Sequence, residues 1–194
     1  EESGLIRTTA PAFMPTVFTH IAAPLAARVA LGPRRVPLSM LLAGLIAAVL
    51  PDADGLPHLL RIDTGFAWGS MGSHRGFTHT LAFALLVGLL GWWWAPRWNA
   101  SRLTGYAWMA LCCLSHPLLD MLTSGGHGIA LWWPLSSERL FSPWRPVAVS
   151  PMTPAALWSP RGLRVAGTEL LFIWLPLIAA ASLILVLRRI RKHP

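Results

Sequence analysis

Charged residues are scarce in this 194-residue sequence. Only 12% of the residues are Asp, Glu, Lys or Arg, against about 25% in an average soluble domain, while 54% are hydrophobic. Intrinsic disorder requires low hydrophobicity and high charge, so this composition excludes a disordered chain. It also disfavours an ordinary soluble globule, and the long apolar runs indicate an integral membrane protein.

Lysine is almost absent, because Lys192 is the only lysine among the 16 basic residues. Biased codon usage explains an arginine excess, but guanidinium groups also bind phosphate in a bidentate manner. The formal net charge of +8 is compatible with nucleic-acid binding. However, the charges lie between apolar stretches rather than along one face, so we expect no nucleic-acid partner.

Cysteine ligands and the common hydrolase motifs are also missing. Cys112 and Cys113 are adjacent within an apolar run, which is typical of small buried side chains. The sequence contains neither the His-Glu-x-x-His motif of zinc proteases nor the Gly-x-Ser-x-Gly turn of serine hydrolases. These two classes of hydrolase are therefore excluded.

Five apolar stretches are separated by polar or proline-containing connections. The last, Ala166 to Leu187, carries no charge after Glu169 and is long enough for a bilayer crossing of about 20 residues. The second, Val36 to Leu50, is shorter, and we expect Pro51 to end it. These lengths predict an all-α integral membrane bundle of about five helices. The stretches cover residues 17–31, 36–50, 79–95, 104–122 and 166–187.

The remaining segments predict a leader, a loop and a tail around one domain. Residues 1–13 are polar and patternless before Met14, so we interpret them as a disordered or vector-derived leader. A single membrane-embedded domain follows over 14–190, and 191–194 form a basic cytoplasmic tail. The long segment 124–164 is rich in Trp and Pro, which predicts an outer loop lying on the membrane interface.

Short arginine clusters indicate the orientation in the membrane. They follow the first, third and fifth stretches, and an alternating path brings all three clusters to one side. The positive-inside rule makes that side cytoplasmic, which predicts a bacterial inner membrane protein with its amino terminus outside. The clusters are Arg34 with Arg35, Arg97 with Arg102, and Arg188, Arg189 and Arg191 with Lys192.

Histidines and carboxylates gather at the opposite, outer ends of the five stretches. Ionisable side chains in or near a bilayer are costly, and they commonly have a function. Imidazole together with carboxylate suits Zn²⁺, with Mn²⁺ or Fe²⁺ as alternatives. We therefore predict a site for two or three divalent ions, with His127 as an alternative outer ligand. The predicted ligands are His20, Asp52, Asp54, His74, His79, His116, Asp120 and Glu169.

The spacing of these residues refines the prediction. His116 and Asp120 are four apart and share one face of a helix, so they can chelate one ion. His74 and His79 are five apart, and a regular helix would separate them by about 140°. One of this pair should therefore lie in the loop before the helix, with Gly76 at the junction.

Two carboxylates follow the second apolar stretch on a turn. Asp54 is the residue that we expect to bridge two ions, with Asp52 beside it. Each ligand also has a purely structural interpretation. His20 could be a hydrogen-bonding residue of the bundle, and Glu169 could be favoured by the dipole at a helix start. Only the convergence of all of them at one level favours a metal site.

The motifs resemble the YdjM-like family of membrane-bound metal-dependent hydrolases, and the resemblance runs from about Met14 to Leu187. Its most specific part is the block His74-Arg75-Gly76-Phe77-Thr78-His79. The resemblance implies a multi-span inner membrane protein with a metal-dependent hydrolase site. The other matching segments are Met14-Pro15-Thr16 with Thr19-His20, Leu50-Pro51-Asp52-Ala53-Asp54, His116-Pro117-Leu118-Leu119-Asp120 with Thr123, and Pro143-Trp144-Arg145-Pro146.

A weaker similarity is to the zinc-dependent phospholipase C family, whose order of His and Asp ligands looks like the order here. That similarity implies a zinc cluster that cleaves phosphodiesters. This chain lacks the amino-terminal Trp ligand and the late His-x-x-x-Glu pair of that family, which leaves Glu169 alone.

The leading hypothesis is therefore hydrolysis of a phosphate ester on a membrane lipid, with bound ions activating water and stabilising charged oxygens. Arg75 and Arg145 are the predicted phosphate-binding residues, although a salt bridge to a ligand carboxylate is an equal alternative for Arg75. A metal-dependent amide or ester hydrolase is the second enzyme hypothesis. A non-catalytic transporter or scaffold is the alternative from another class.

Overall fold

The computed structural model describes residues 13–14, 16–60, 62–67, 69–151 and 158–191. The predicted leader, apart from Phe13, and the tail beyond residue 191 lie outside the described residues. Within the described ranges the protein is helical, as the apolar stretches predict. One pair of two-residue strands is added, β1 (Phe13–Met14) antiparallel to β2 (Ser150–Pro151).

The first two apolar stretches form helices that end in irregular turns. Pro51 ends the α-helical hydrogen bonding, but it does not end the helical path as expected, because a 3₁₀ turn continues to Gly55. A proline at the first position of such a turn loses no hydrogen bond, since its N–H would be unpaired there. The elements are α1 (Val17–His20), α2 (Ala22–Leu31), α3 (Leu38–Val49), the 3₁₀ turn Leu50–Gly55 and α4 (Leu56–Leu59).

The third and fourth stretches form a helical hairpin of α5 (Leu81–Trp94) and α6 (Arg102–Asp120). Thr80 caps α5 by accepting a hydrogen bond from the Phe83 N–H at 3.0 Å. Ser101 caps α6 in the same way, accepting from the Thr104 N–H at 3.1 Å. These caps satisfy amide donors that a helix start leaves free.

The core lies between α3, α5 and α6. Trp108 of α6 packs against Gly44 of α3 and donates its indole N–H to the Met40 carbonyl at 2.7 Å. Gly91 and Gly105 let the backbones of α5 and α6 approach closely, because a Cβ on Gly91 would lie 2.1 Å from the Gly105 carbonyl oxygen. Small residues at such crossings are typical of helix pairs in membranes.

The fifth stretch belongs to a longer helix than predicted. It comprises α7 (Pro160–Glu169), a π-helical segment (Leu170–Trp174) and α8 (Leu175–Ile190). It therefore begins inside the predicted loop 124–164. Among the described residues, two helical stretches are long and apolar enough to cross a membrane, namely 38–55 with 18 residues and 160–190 with 31 residues.

The segment that follows α6 folds back over the protein. Bridges join Ile129 to Leu140 and Thr123 to Val147, and the Trp133 ring packs edge-on against Phe77 with the ring centroids 5.7 Å apart. Other tryptophans of this segment are exposed, and the position of the loop at the membrane interface stays a prediction.

Candidate metal centre

The predicted ligands come from four separate parts of the fold. His20 ends α1, and two aspartates lie on the 3₁₀ turn after α3. His116 and Asp120 lie on the last turn and a half of α6, where both are fully buried. The four-residue spacing therefore places them on one helix face, as predicted. The other predicted ligands that lie in the cluster are Asp52, Asp54, His74 and His79.

The turn before α5 brings its two histidines into the site from outside a regular helix. His74 lies in the turn, and His79 ends a one-turn 3₁₀ helix, Phe77–His79, before α5. Gly76 is at the junction, where a Cβ would lie 2.2 Å from the Met71 carbonyl oxygen. The expected loop position of one histidine is confirmed, and the second also precedes α5 rather than opening it.

The hydrogen bonding of His116 leaves one of its nitrogens free to act as a ligand. Its Nδ1 lies 2.8 Å from the Ala48 carbonyl oxygen, which only accepts, so Nδ1 carries the proton. Nε2 of the neutral ring is then a lone-pair donor, 3.3 Å from Asp52 Oδ1 and 4.0 Å from Asp120 Oδ2. A backbone carbonyl that fixes the tautomer in this way is typical of histidines that bind metals.

His20, His116 and Asp120 form the first group that could hold an ion. The His20 ring stacks on the His116 ring with the centroids 3.5 Å apart and the planes inclined by 13°. His20 Nε2 lies 3.7 Å from Asp120 Oδ1. Two stacked imidazoles thus present nitrogens to the same carboxylate.

Asp52, His74 and His79 form the second group. Asp54 stands behind the two histidines, with its Oδ1 2.7 Å from His74 Nδ1 and its Oδ2 3.3 Å from His79 Nδ1. The Thr78 hydroxyl also donates to Asp54. Asp54 therefore orients the rings through their Nδ1 atoms, which is a role that the spacing alone did not predict.

The two groups share carboxylates and form one cluster. His79 of the second group has its Nε2 3.4 Å from Oδ2 of Asp120 in the first group, and Asp52 of the second group lies next to His116 of the first. Asp52 and Asp120 therefore lie between the groups. This differs from the sequence interpretation, which expected Asp54 to be the bridging carboxylate.

The buried polar atoms of this cluster fit divalent metal ions. Within the described part of the chain, both ring nitrogens of His20, Nε2 of His79 and His116, and both oxygens of Asp52 and Asp120 are buried without a hydrogen-bond partner. A single unpaired buried polar group costs about 1–3 kcal/mol, and a charged one costs more. A cation between several such atoms would offset this cost, and imidazole with carboxylate is a normal ligand set for Zn²⁺.

Glu169 does not join this cluster. It lies at the end of α7, where its Oε1 accepts from the Thr16 N–H and its Oε2 accepts from the Thr16 hydroxyl, both at 2.6 Å. Neither ion-binding group found among the described residues contains it. The carboxylate instead fixes the chain just before α1, which carries His20.

The two predicted phosphate-binding arginines have different surroundings. Arg75 is buried, and its Nε lies 3.2 Å from Asp120 Oδ2, so the salt-bridge alternative describes its contacts. Its other guanidinium nitrogens donate to the Gly125 carbonyl at 3.0 Å and to the Thr123 hydroxyl at 3.1 Å. Arg145 is exposed and lies over the Phe141 ring at 4.7 Å from the ring centroid.

Sequence reasoning missed two contributors to the site. Thr78 joins Asp54 to the His79 ring, with its hydroxyl 3.0 Å from His79 Nδ1. Arg139, rather than Arg145, is the arginine of the long segment that reaches the loop carrying His74. No signal in the sequence distinguishes Arg139 from its neighbours, whereas Thr78 lies inside the most specific motif.

The electrostatics at the edge of the site are dominated by arginine. Burial, followed by repulsion from Arg75, lowers the pKa of Arg139 from its ordinary value. Partial burial and then the charges of Arg139 and Arg75 lower the pKa of His127. The His127 ring is exposed beside Gly69 and belongs to neither ion-binding group among the described residues. Of these two guanidinium groups, Arg75 offsets the charge of Asp120 in the cluster.

Comparison with known proteins agrees with the prediction of an inner membrane protein. The chain is 42% identical over 164 residues to inner membrane protein YbcI of Escherichia coli strain K12, covering 84% of this chain and 92% of that protein. No solved structure matches the chain. The YdjM inner membrane protein family matches residues 14–193. The chain therefore belongs to the YdjM inner membrane protein family, and it is an inner membrane protein with a His and Asp cluster that can bind metal ions.

Proposed function

We propose that this protein is a metal-dependent hydrolase that cleaves a phosphate ester of a membrane lipid. The observation that carries the proposal is the buried cluster in which unpaired imidazole nitrogens and carboxylate oxygens form two groups joined by Asp52 and Asp120. The ions that it would hold, Zn²⁺ first and Mn²⁺ or Fe²⁺ as alternatives, supply water activation and charge neutralisation when bound. The ligands would be His20, His116 and Asp120 for one ion, and Asp52, His74 and His79 for the other.

Residues around the ligands hold them in position for this chemistry. The Ala48 carbonyl fixes the His116 tautomer, and Asp54 fixes the His74 ring through a contact of 2.7 Å. The Arg75 guanidinium fixes Asp120. Such outer contacts keep ligand atoms directed at the ion and commonly change metal affinity by about 10- to 100-fold.

The charge of the site favours an anionic substrate. Three carboxylates and the guanidinium of Arg75 are brought together here, and a histidine that binds an ion does so as a neutral ring, which adds no charge. Two divalent ions would outweigh this net negative charge and leave the site positive. A phosphate ester matches that charge better than a neutral amide or carboxyl ester does.

The approach to the site favours a lipid. Asp52 and Asp54 are the most accessible cluster residues, with 10% and 11% of their side chains exposed, whereas the clustered histidines are at most 3% exposed. Several large apolar residues between positions 56 and 66 are exposed, which suits contact with acyl chains. They are Leu56, Leu60, Ile62 and Phe66.

We place this site on the outer side of the inner membrane, with the carboxyl terminus in the cytoplasm. The support is the arginine-rich segment that follows Leu187. This segment lies at the opposite end of the last helix from Glu169, and the positive-inside rule favours the cytoplasm for it. An ion site on that side would be accessible to reagents that cannot cross the membrane.

The test is hydrolysis by detergent-purified protein, with metal content measured by mass spectrometry. We expect bound zinc or manganese and release of phosphate or a phosphoalcohol from phospholipid micelles by wild type. His116→Ala should lose both properties, while exposed Arg164→Ala on α7 should keep them. In spheroplasts, EDTA outside the cells should stop the reaction.

Three outcomes would overturn parts of the proposal. Absence of tightly bound metal, even after metal is added, would reject the hydrolase. Cleavage of carboxyl esters or amides, but not of phosphate esters, would establish the second enzyme hypothesis. Activity that resists external EDTA but stops when permeabilised cells receive it would place the site on the cytoplasmic side.

A further inference from the structure

Arg139 lies outside the ligand cluster but contacts the loop that carries His74. Its Nη1 donates to the Arg75 carbonyl at 3.2 Å and to the Gly128 carbonyl at 3.1 Å. Its Nη2 donates to the Gly69 carbonyl. One guanidinium therefore joins the two ends of the 69–75 loop to the long segment after α6.

Arg75 needs this support because its backbone is strained. Its φ angle is +62°, a left-handed conformation that is strained for residues other than glycine and that they rarely adopt. The next residue, Gly76, is equally constrained, since a Cβ there would collide with the Met71 carbonyl. The contact of Arg139 with the Arg75 carbonyl is made at the strained residue itself.

The Arg75 side chain extends in the opposite direction and reaches the segment to which Arg139 belongs. It contacts Asp120, Thr123 and the Gly125 carbonyl. Thr123 in turn donates to the Asp120 carbonyl at 2.7 Å. Arg139 thus links the long segment after α6 to the 69–75 loop. Arg75 links that loop back to the long segment and also to Asp120, a carboxylate of the cluster.

We propose that Arg139 is a positioning residue for the metal centre, which acts through Arg75 to hold Asp120 in its ligand orientation. The inference rests on the proposed metal-binding function of the cluster. A guanidinium is suited to the role because its planar fork reaches several carbonyl oxygens at fixed angles, which an ammonium group cannot do. Arg139 contacts no ligand, so its effect on the ion would be indirect.

The test is a double-mutant cycle on metal affinity, measured by competition with a chromophoric zinc chelator. Arg139→Ala should weaken zinc binding by about 10- to 100-fold, the range for residues that orient ligands. In an Arg75→Ala background the same change should have little further effect, because residues that act through one another are not additive. Arg164→Ala, which removes an exposed arginine from α7, should leave the affinity unchanged.

A second measurement keeps the inference testable if zinc binding cannot be observed. Amide hydrogen exchange of the 71–77 turn should speed up in Arg139→Ala and in Arg139→Lys, which keeps the charge but loses the fork, and unchanged exchange in both variants would overturn the inference. Equal zinc affinity in wild type and Arg139→Ala, or additive effects with Arg75→Ala, would overturn the inference. If the wild-type protein itself does not bind zinc, the result would instead reject the proposed function.

Discussion

Glu169 is a buried carboxylate with both oxygens bonded to Thr16. We predict that Glu169→Gln keeps the full metal content, because the carboxylate accepts from the Thr16 N–H and hydroxyl and belongs to neither of the two groups of described residues that could hold an ion. Asp120→Asn, the same chemical change at a residue of the cluster, should lose metal. The weakened contact with Thr16 should lower the free energy of unfolding by about 1–3 kcal/mol.

The measurements are the metal content of the two variants and their unfolding midpoints in detergent. Together they decide whether Glu169 is a metal ligand. The control is wild type purified in parallel, which sets the metal content and the unfolding midpoint. Equal loss of metal in Glu169→Gln and Asp120→Asn would restore Glu169 as a ligand and contradict the contacts described here.

The residue types in the sequence predicted much of the site. The roles of residues whose position depends on how distant segments pack together were not predictable. The His116 and Asp120 pair followed from helix geometry alone. Glu169 was expected at the start of the last helix because the Trp-rich and Pro-rich segment 124–164 looks like a loop, whereas that helix starts at Pro160 and Glu169 ends α7. Arg139 could not be identified because its position depends on long-range bridges, which local sequence patterns do not encode.

At the scale of elements, the contact of α5 with α6 depends on two glycines. We predict that Gly91→Ala destabilises the protein by about 1–3 kcal/mol, the usual cost of overpacking. The added methyl group would lie 2.1 Å from the backbone oxygen of Gly105, which cannot rotate away. Because α6 carries His116 and Asp120, metal affinity should fall as well.

The matched control is Gly167→Ala on α7, where an added Cβ meets no atom within 4 Å. Alanine is favoured over glycine in a helix by about 1 kcal/mol, so this variant should be as stable as wild type or more stable. The measurement is the unfolding midpoint in a detergent series. A Gly91→Ala protein as stable as Gly167→Ala would show that the two helices separate readily.

The helical class and the approximate positions of the helices were predictable from the apolar stretches, but their ends were not. The 3₁₀ turn after Val49 extends the second stretch past Pro51, which places Asp52 beside His116 of α6 and Asp54 beside the two histidines before α5. Apolar periodicity carries no information on such turns, because their geometry depends on the contacts that they make. The site is therefore assembled by the segments whose form was hardest to predict.

At the scale of the whole molecule, the cluster joins parts of the chain that are far apart in sequence, from His20 to Asp120. A ligand that binds only the folded state stabilises it by about 4 kcal/mol at a thousand times its dissociation constant. We predict that chelation lowers the unfolding midpoint of the wild-type protein and that added zinc or manganese restores it. In Asp120→Asn the same treatment should change the midpoint little.

The apo proteins provide the sharper comparison. Without an ion, buried carboxylates repel one another in a site where Arg75 is the guanidinium in contact with Asp120. Removing one of these charges by Asp120→Asn relieves part of that repulsion. Asp120→Asn also leaves Arg75 without its carboxylate partner, so the variant should be less stable than wild type with metal, and by a smaller amount after chelation. The same loss of stability in both conditions would show that Asp120 acts through Arg75 alone, and that the cluster holds the fold together without an ion.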